Sequence, residues 1–218
     1  MDRKVRILLI DDHYVVRQGL KAILLEQYSQ AVFGESNTAQ EALDLIWKDT
    51  WDVVLLDISI PGRGGLEILK EIRKSQPKLP VIIVSMHSEE QFAIRVLRLG
   101  ACSYVRKDSA GQELVKAVAA ALRGGKYITS SLAERLASNL EQDQEGPRHD
   151  ILSDREYQVM CLLASGKTVK EVGGDLSLSV KTVSTYRTRI LEKLALKNNA
   201  QLMKYAVRNG LVDVSAEV

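Results

Sequence analysis

Five short apolar runs recur along the first 110 residues, each followed by a stretch in which apolar residues return every three or four positions. The runs VRILLI (5–10), AVFGES (31–36), VVLLDI (53–58), VIIVSM (81–86) and SYVRK (103–107) predict strands. The first, third and fourth are continuously apolar, as parallel strands covered on both faces are. The segments YVVRQGLKAILLE, TAQEALDLIW, GLEILKEIRK, EEQFAIRVLRLG and GQELVKAVAAALRG carry helical spacing. Strand–helix alternation repeated five times predicts right-handed crossovers and an open parallel sheet. The first domain therefore spans 1–125 and ends near Gly124-Gly125.

The pattern then changes. TSSLAERLASNLEQ reads as a short amphipathic helix and DQEGPRHD as a loop broken at Gly146-Pro147, which makes 126–148 a linker. From 149 to 218 the periodicity is helical throughout. Ser153 and Glu156 form a capping box that opens SDREYQVMCLLASG. After it come TVKEVGGDL, the turn SLS, a longer helix VKTVSTYRTRILEKLA with Ser179 as its N-cap, and NAQLMKYAVRNG. Four short helices of this kind make a small all-α bundle around a single core.

Composition narrows the class. Of the 218 residues, 45% are hydrophobic and 27% charged, the balance of a soluble globular chain, and only 5% are aromatic, so the cores are aliphatic. No apolar run approaches the ~20 residues that span a bilayer. The start MDRKVRILLI reads as lacking a secretory signal. Cys102 and Cys161 lie far apart in apolar contexts and read as small buried hydrophobes in a reducing compartment.

The candidate chemistry lies at strand ends. In VVLLDISIPGRGG an apolar run ends on Asp57, a group costly to bury. The first run ends at Asp11-Asp12, the fourth at Ser85 and the fifth at Lys107. In an open parallel sheet all of these meet beyond the carboxyl edge. Each has a plain alternative: Asp12 could cap a helix, Asp57 could cap the next turn, Ser85 could satisfy a turn, Lys107 could simply be exposed. Their coincidence at one edge is the stronger observation. Three converging carboxylates repel one another unless a cation joins them. Oxygen ligands without His or Cys favour Mg²⁺, which can hold a phosphoryl group. Asp57 then serves as a nucleophile forming an acyl phosphate, with Lys107 neutralising the added oxygens and Ser85 donating to one of them.

The net charge of +2 says little, but its distribution says more. Between Ser177 and Asn198 stand Lys181, Arg187, Arg189, Lys193 and Lys197, against Glu192 alone. Val183, Ile190, Leu191 and Leu194 predict the inward stripe of the helix. Lys181, Ser184, Thr185, Thr188 and Arg189 point mostly the other way, as in a helix that enters a major groove. A solvated face or a protein-binding surface remains the plain alternative.

The pattern DD…D…S…K over residues 3 to 124 resembles the receiver domain of bacterial two-component response regulators. The segment ILSDREYQVMCLLASGKTVKEVGGDLSLSVKTVSTYRTRILEKLALKNNAQLMKYAVRNGLV resembles the LuxR-type helix-turn-helix domain. Together they resemble a NarL/FixJ-type response regulator over nearly the whole chain. The resemblance implies an α/β, flavodoxin-like, doubly wound five-stranded parallel sheet, with a second, smaller all-α helix-turn-helix domain. It implies phosphoryl transfer from a sensor histidine kinase to Asp57, with Mg²⁺ held by Asp12, Asp57 and, through water, Asp11. On phosphorylation Ser85 moves toward the phosphate and Tyr104 turns inward; from the residues alone Tyr104 is a half-buried strand aromatic. It further implies a cytoplasmic regulator of transcription that binds double-stranded DNA as a homodimer, with the helix around Ala200 to Asn209 pairing two copies. Ser184, Thr185 and Thr188 then face bases, and Lys181, Arg187, Arg189 and Lys193 suit phosphates.

The chain departs from that pattern in places. Ser184 and Tyr186 stand where relatives often carry Lys and His, and Gly173-Gly174 interrupt the scaffold helix at a cost of roughly 1–2 kcal/mol. Two look-alike motifs do not qualify as nucleotide sites. GRGGLEILK lacks GxGxxG spacing, and SGKT (165–168) has Cys161 where a Walker loop needs glycine. Two other classes compete. An aspartate-nucleophile phosphohydrolase usually needs a second acid two residues past the nucleophile, where this chain has Ser59. A protein- or RNA-interaction module could use the same basic helix.

Overall fold

The computed structural model describes residues 4–61, 63–142 and 148–212. Two compact units divide the chain, Met1–Ala133 and Glu134–Val218. Gly62 and the Gly146-Pro147 breaker lie outside the described residues. No helix of the described residues is long and apolar enough to cross a membrane.

The first unit runs β1 (Arg6–Ile10), α1 (Tyr14–Gln27), β2 (Val32–Ser36), α2 (Ala39–Lys48), β3 (Val53–Leu56), α3 (Gly65–Ser75), β4 (Val81–Ser85), α4 (Glu89–Arg98), β5 (Ser103–Arg106) and α5 (Ala110–Leu122), and α6 (Ser130–Gln142) follows. The five strands are parallel in the order β2-β1-β3-β4-β5. This is the open parallel sheet that the alternation predicts, doubly wound as the family resemblance implies. The central strands are apolar on both faces because both are covered. Ile7, Leu9, Val53, Leu55, Ile82 and Val84 pack with Leu20 and Leu24 of α1 and Leu114, Val118 and Ala121 of α5. The alternate residues Leu8, Ile10, Val54, Leu56 and Ile83 point to the opposite face and are equally buried.

Strand three is shorter than its apolar run suggests. It ends at Leu56, and the Asp57 side chain accepts from the Ser59 amide at 3.2 Å as the chain turns away. Gly65 is fixed by that turn: a Cβ there would lie 2.1 Å from the Asp57 carbonyl oxygen. Of the two cysteines, Cys161 is buried as expected. Cys102 is only half-buried; its thiol donates to the Val81 carbonyl, and burial pushes it up to about 11.

In the second unit, past the end of α6, a 3-10 turn forms at Arg148–Ile151, where the sequence reads as loop. Then come α7 (Asp154–Ala164), α8 (Val169–Asp175), α9 (Val180–Lys193) and α10 (Asn199–Arg208). Local capping sets their starts. Ser153 with Glu156 and Thr168 with Glu171 both form capping boxes, Ser179 accepts from Thr182 N, and Asn198 accepts from Gln201 N. Val172, Leu176, Val183, Ile190, Leu194, Leu202 and Ala206 are buried.

The two glycines of α8 separate into different roles. The helix ends in a Schellman turn, with Leu178 N donating to Gly173 O at 2.8 Å and Ser177 N to Gly174 O at 3.3 Å. A Cβ at Gly173 would stand 2.8 Å from the Leu178 carbonyl oxygen, so the tight turn into α9 requires glycine there. Gly174 has open space around it, and nothing in the structure explains it.

Candidate functional site

The sheet register assembles the site. β1 lies between β2 and β3, where the winding reverses, and Ile10 pairs with Leu56 as the last residue of each strand. Asp11 and Asp57 therefore emerge side by side, the position where such sheets place their chemistry. Ser85 closes β4 opposite Arg106 of β5, and Lys107 is the next residue.

Lys107 Nζ lies 2.8 Å from Asp57 Oδ2 and 2.6 Å from Asp11 Oδ2, and all three side chains are at most 6% exposed. Burial pushes the Asp57 carboxyl upward, Lys107 pulls it back and Asp11 pushes it up again, leaving it above the ordinary range. Burial also disfavours the Lys107 ammonium, but the two carboxylates outweigh that and hold its pKa above the ordinary lysine value. The site therefore combines a charged lysine with a buried carboxylate whose ionisation is opposed by its surroundings.

Ligand atoms of Asp11, Asp12, His13 and Asp57 all lie within 4.8 Å of one another. Asp12 Oδ1 is buried and accepts no hydrogen bond, although His13 Nδ1 stands 2.9 Å away. An unsatisfied buried carboxylate oxygen facing two more carboxylates fits a hard divalent cation. His13 was not among the sequence candidates, and its ring adds one nitrogen to a set expected to be all oxygen. Its place directly after the aspartate pair was the available signal.

Ser85 and Tyr104 are both buried. The Ser85 hydroxyl accepts from His87 N at 3.2 Å, and Tyr104 OH donates to the His87 carbonyl at 2.7 Å. Tyr104 is 2% exposed, so it is a core residue and not half-buried. Its phenol is pushed strongly upward by burial. A second bridge, between Ser59 Oγ and His87 Nε2 at 3.0 Å, joins the loop after Asp57 to the loop after Ser85. Neither Ser59 nor His87 carried a sequence signal for this contact.

In the second unit α9 presents Lys181, Ser184, Thr185, Thr188 and Arg189 to solvent, and buries Val183, Ile190 and Leu191. The threonine hydroxyls are turned onto the helix: Thr185 donates to Lys181 O at 3.0 Å and Thr188 to Ser184 O at 3.1 Å. Two of the expected phosphate-binding cations have partners within the unit. Lys193 Nζ bonds Glu156 Oε2 at 2.7 Å, and Arg187 Nε bonds Asn199 Oδ1 at 2.6 Å.

A buried aspartate beside a lysine at the switch point of a five-stranded parallel sheet, joined in one chain to a helix-turn-helix unit, is the architecture of a response regulator. Residues 7–119 match the response regulator receiver domain, and residues 150–206 match the bacterial regulatory proteins of the luxR family. Response regulator GacA of Pseudomonas aeruginosa is 35% identical over 97% of this chain and 100% of its own length. Response regulator UvrY of Escherichia coli K12 is 36% identical over 95% of each. Among solved structures, the complex of the two-component response regulator RcsB with DNA is 28% identical, with TM-score 0.58 over 94% of this chain and 98% of that one. Salmonella enterica RcsB bound to promoter rprA with phosphomimetic BeF3- gives 27% and 0.60 over 94% and 99%. The chain belongs to the response regulators that join a receiver domain to a LuxR-family helix-turn-helix.

Proposed function

We propose that the protein is a cytoplasmic transcription regulator gated by phosphorylation of Asp57. An Asp57 carboxylate oxygen attacks the phosphorus of a kinase phosphohistidine; the P–N bond breaks, a P–O bond forms, and the imidazole leaves with its electron pair and is then protonated. Lys107 lies where it neutralises a phosphoryl oxygen. Asp11, Asp12 and Asp57 would hold Mg²⁺, which supplies charge neutralisation at the phosphoryl group. Beyond this self-modification no turnover is proposed, and Ser59 offers no second acid for one. The observation that carries the reading is the Lys107 ammonium shared between Asp57 and Asp11 in a buried pocket.

Phosphorylation shifts a pre-existing equilibrium toward a dimer, with α10 pairing the second units and two α9 helices reading half-sites about 34 Å apart. Ser184, Thr185 and Thr188 face bases. Because their hydroxyl protons are engaged on the helix, Thr185 and Thr188 offer acceptor oxygens and methyl groups, suited to cytosine or adenine amino groups and the thymine methyl. Lys181 and Arg189 contact phosphates. Arg187 and Lys193 serve mainly as internal pins of the unit.

The test is DNA selection with and without acetyl phosphate and Mg²⁺. The reading expects a palindromic or repeated duplex site whose affinity rises on phosphorylation. Equal binding to RNA at the same salt, or affinity indifferent to phosphorylation, would overturn it.

A further inference from the structure

Arg17 lies on the apolar stripe of α1, in step with Leu20 and Leu24, yet it is a guanidinium with only 11% of its side chain exposed. Such a group is costly to bury unless its donors are matched. Arg17 Nε bonds Glu35 Oε2 at 2.9 Å, and Nη1 bonds the Asp11 backbone carbonyl at 2.7 Å. Gln18 and Lys21, from the same face of α1, also donate to the Glu35 carboxylate. Hydrogen bonds from Lys21 and Arg17 hold the Glu35 carboxyl below the ordinary range, so the pair stays ionised.

The effect falls on Asp11. Its amide donates to Ser36 O at 3.1 Å while Arg17 holds its carbonyl, so the peptide groups on both sides of Asp11 are fixed. Its carboxylate is fixed as well, by His13 N on Oδ1 at 2.8 Å and Lys107 on Oδ2. Asp12, whose Oδ1 lacks a hydrogen-bond partner, is the next residue.

We propose that Arg17, clamped by Glu35, is a positioning residue for the divalent-cation site. It holds the backbone between β1 and α1 so that the Asp11 and Asp12 carboxylates are set before the cation arrives. Glu35 has a second effect. A lone buried guanidinium against the Asp11 backbone would repel a cation; Glu35, bonded to both Arg17 and Lys21, offsets one of their two positive charges while Arg17 orients the loop. This inference rests on the cation-assisted reading of the acidic site.

The test is calorimetric titration of the full-length protein with Mg²⁺, for the natural sequence, Arg17→Lys, Glu35→Gln and Asp12→Asn, with a urea midpoint for each. Arg17→Lys keeps the charge and loses the fork. Both Arg17→Lys and Glu35→Gln should weaken Mg²⁺ about tenfold, the scale for residues that orient metal ligands. The Mg²⁺ concentration for half-maximal labelling of Asp57 by acetyl phosphate should rise in parallel, with most of the rate recovered at saturating Mg²⁺. Folded variants that bind Mg²⁺ within twofold of the natural protein, while Asp12→Asn loses it, would overturn the Arg17 role alone. A natural protein that binds no Mg²⁺ would overturn this role and the cation-assisted reading together. If Arg17→Lys fails to fold, Glu35→Gln decides, because Glu35 is partly exposed and its replacement is nearly isosteric.

Discussion

Lys107 and Asp57 are fifty residues apart in sequence and 2.8 Å apart in space, in a pocket almost closed to solvent. Breaking a buried pair by removing one partner costs about 3–5 kcal/mol, because the other charge is left unmatched. Lys107→Met should therefore lower stability by that order at pH 8. The pH dependence has a definite sign. The folded-state pKa of Asp57 is raised, so its contribution is favourable when protonated and is lost as pH rises through that value. Without Lys107 the pKa rises further, and the variant should recover stability on acidification at a higher pH than the natural protein. Urea midpoints from pH 5 to 8, with carbon NMR titration of Asp57, check this; an Asp57 titration unmoved by Lys107→Met would contradict it.

The turn from α8 into α9 predicts opposite outcomes for adjacent glycines. At Gly173 an added methyl meets the Leu178 carbonyl, a backbone atom that cannot step aside. Gly173→Ala should cost about 1–3 kcal/mol, as overpacking does. At Gly174 the methyl meets nothing, and Gly174→Ala should stabilise by up to about 1 kcal/mol through helix propensity. Thermal unfolding of the two variants separates them. Equal effects would mean that the close approach of Leu178 does not govern this turn.

Two lysines of α9 should differ in the same way. Lys181 is exposed on the outer face, whereas Lys193 is bonded to Glu156, the residue that closes the capping box of α7. Lys181→Ala should weaken DNA binding at every sequence and reduce the salt slope by about one. Lys193→Ala should leave the slope nearly unchanged and lower the melting temperature instead. Affinities measured across a salt series decide the matter; a slope lost at Lys193 and kept at Lys181 would reverse the assignment.

Glu89, at the start of α4, holds the start of the linker helix. Its carboxylate accepts from Thr129 Oγ1 at 2.7 Å and Ser131 Oγ at 2.9 Å, while Thr129 receives the amides of Leu132 and Ala133. Glu89→Ala should release that first turn, so hydrogen exchange at Leu132 and Ala133 accelerates several-fold while β1 and β3 amides are unaffected. Unchanged exchange at Leu132 would show that the turn holds without Glu89.

Much of this was legible in the chain. Continuous apolar runs such as VVLL and VIIV predict the covered strands, and strand ends predict which distant residues meet, because a parallel sheet brings carboxyl ends to one edge. Ser153, Ser179 and their partners mark helix starts because a cap is a local contact. What stayed hidden depends on side chains crossing between elements. Nothing local in the sequence tells that Arg17 reaches the Asp11 carbonyl, that Lys193 is tied to Glu156, or that Ser59 meets His87. Arg17 on an apolar stripe was the one visible clue. Gly173 looked like a defect because the cost of glycine in a helix is local, whereas its benefit depends on where Leu178 turns back.

The most direct test of the central claim is to label the protein with acetyl phosphate and Mg²⁺ and locate the added mass by peptide mass spectrometry. A hydroxylamine-sensitive acyl phosphate on Asp57, absent from Asp57→Asn, is the predicted result. A label that persists in Asp57→Asn or maps to another residue would contradict it.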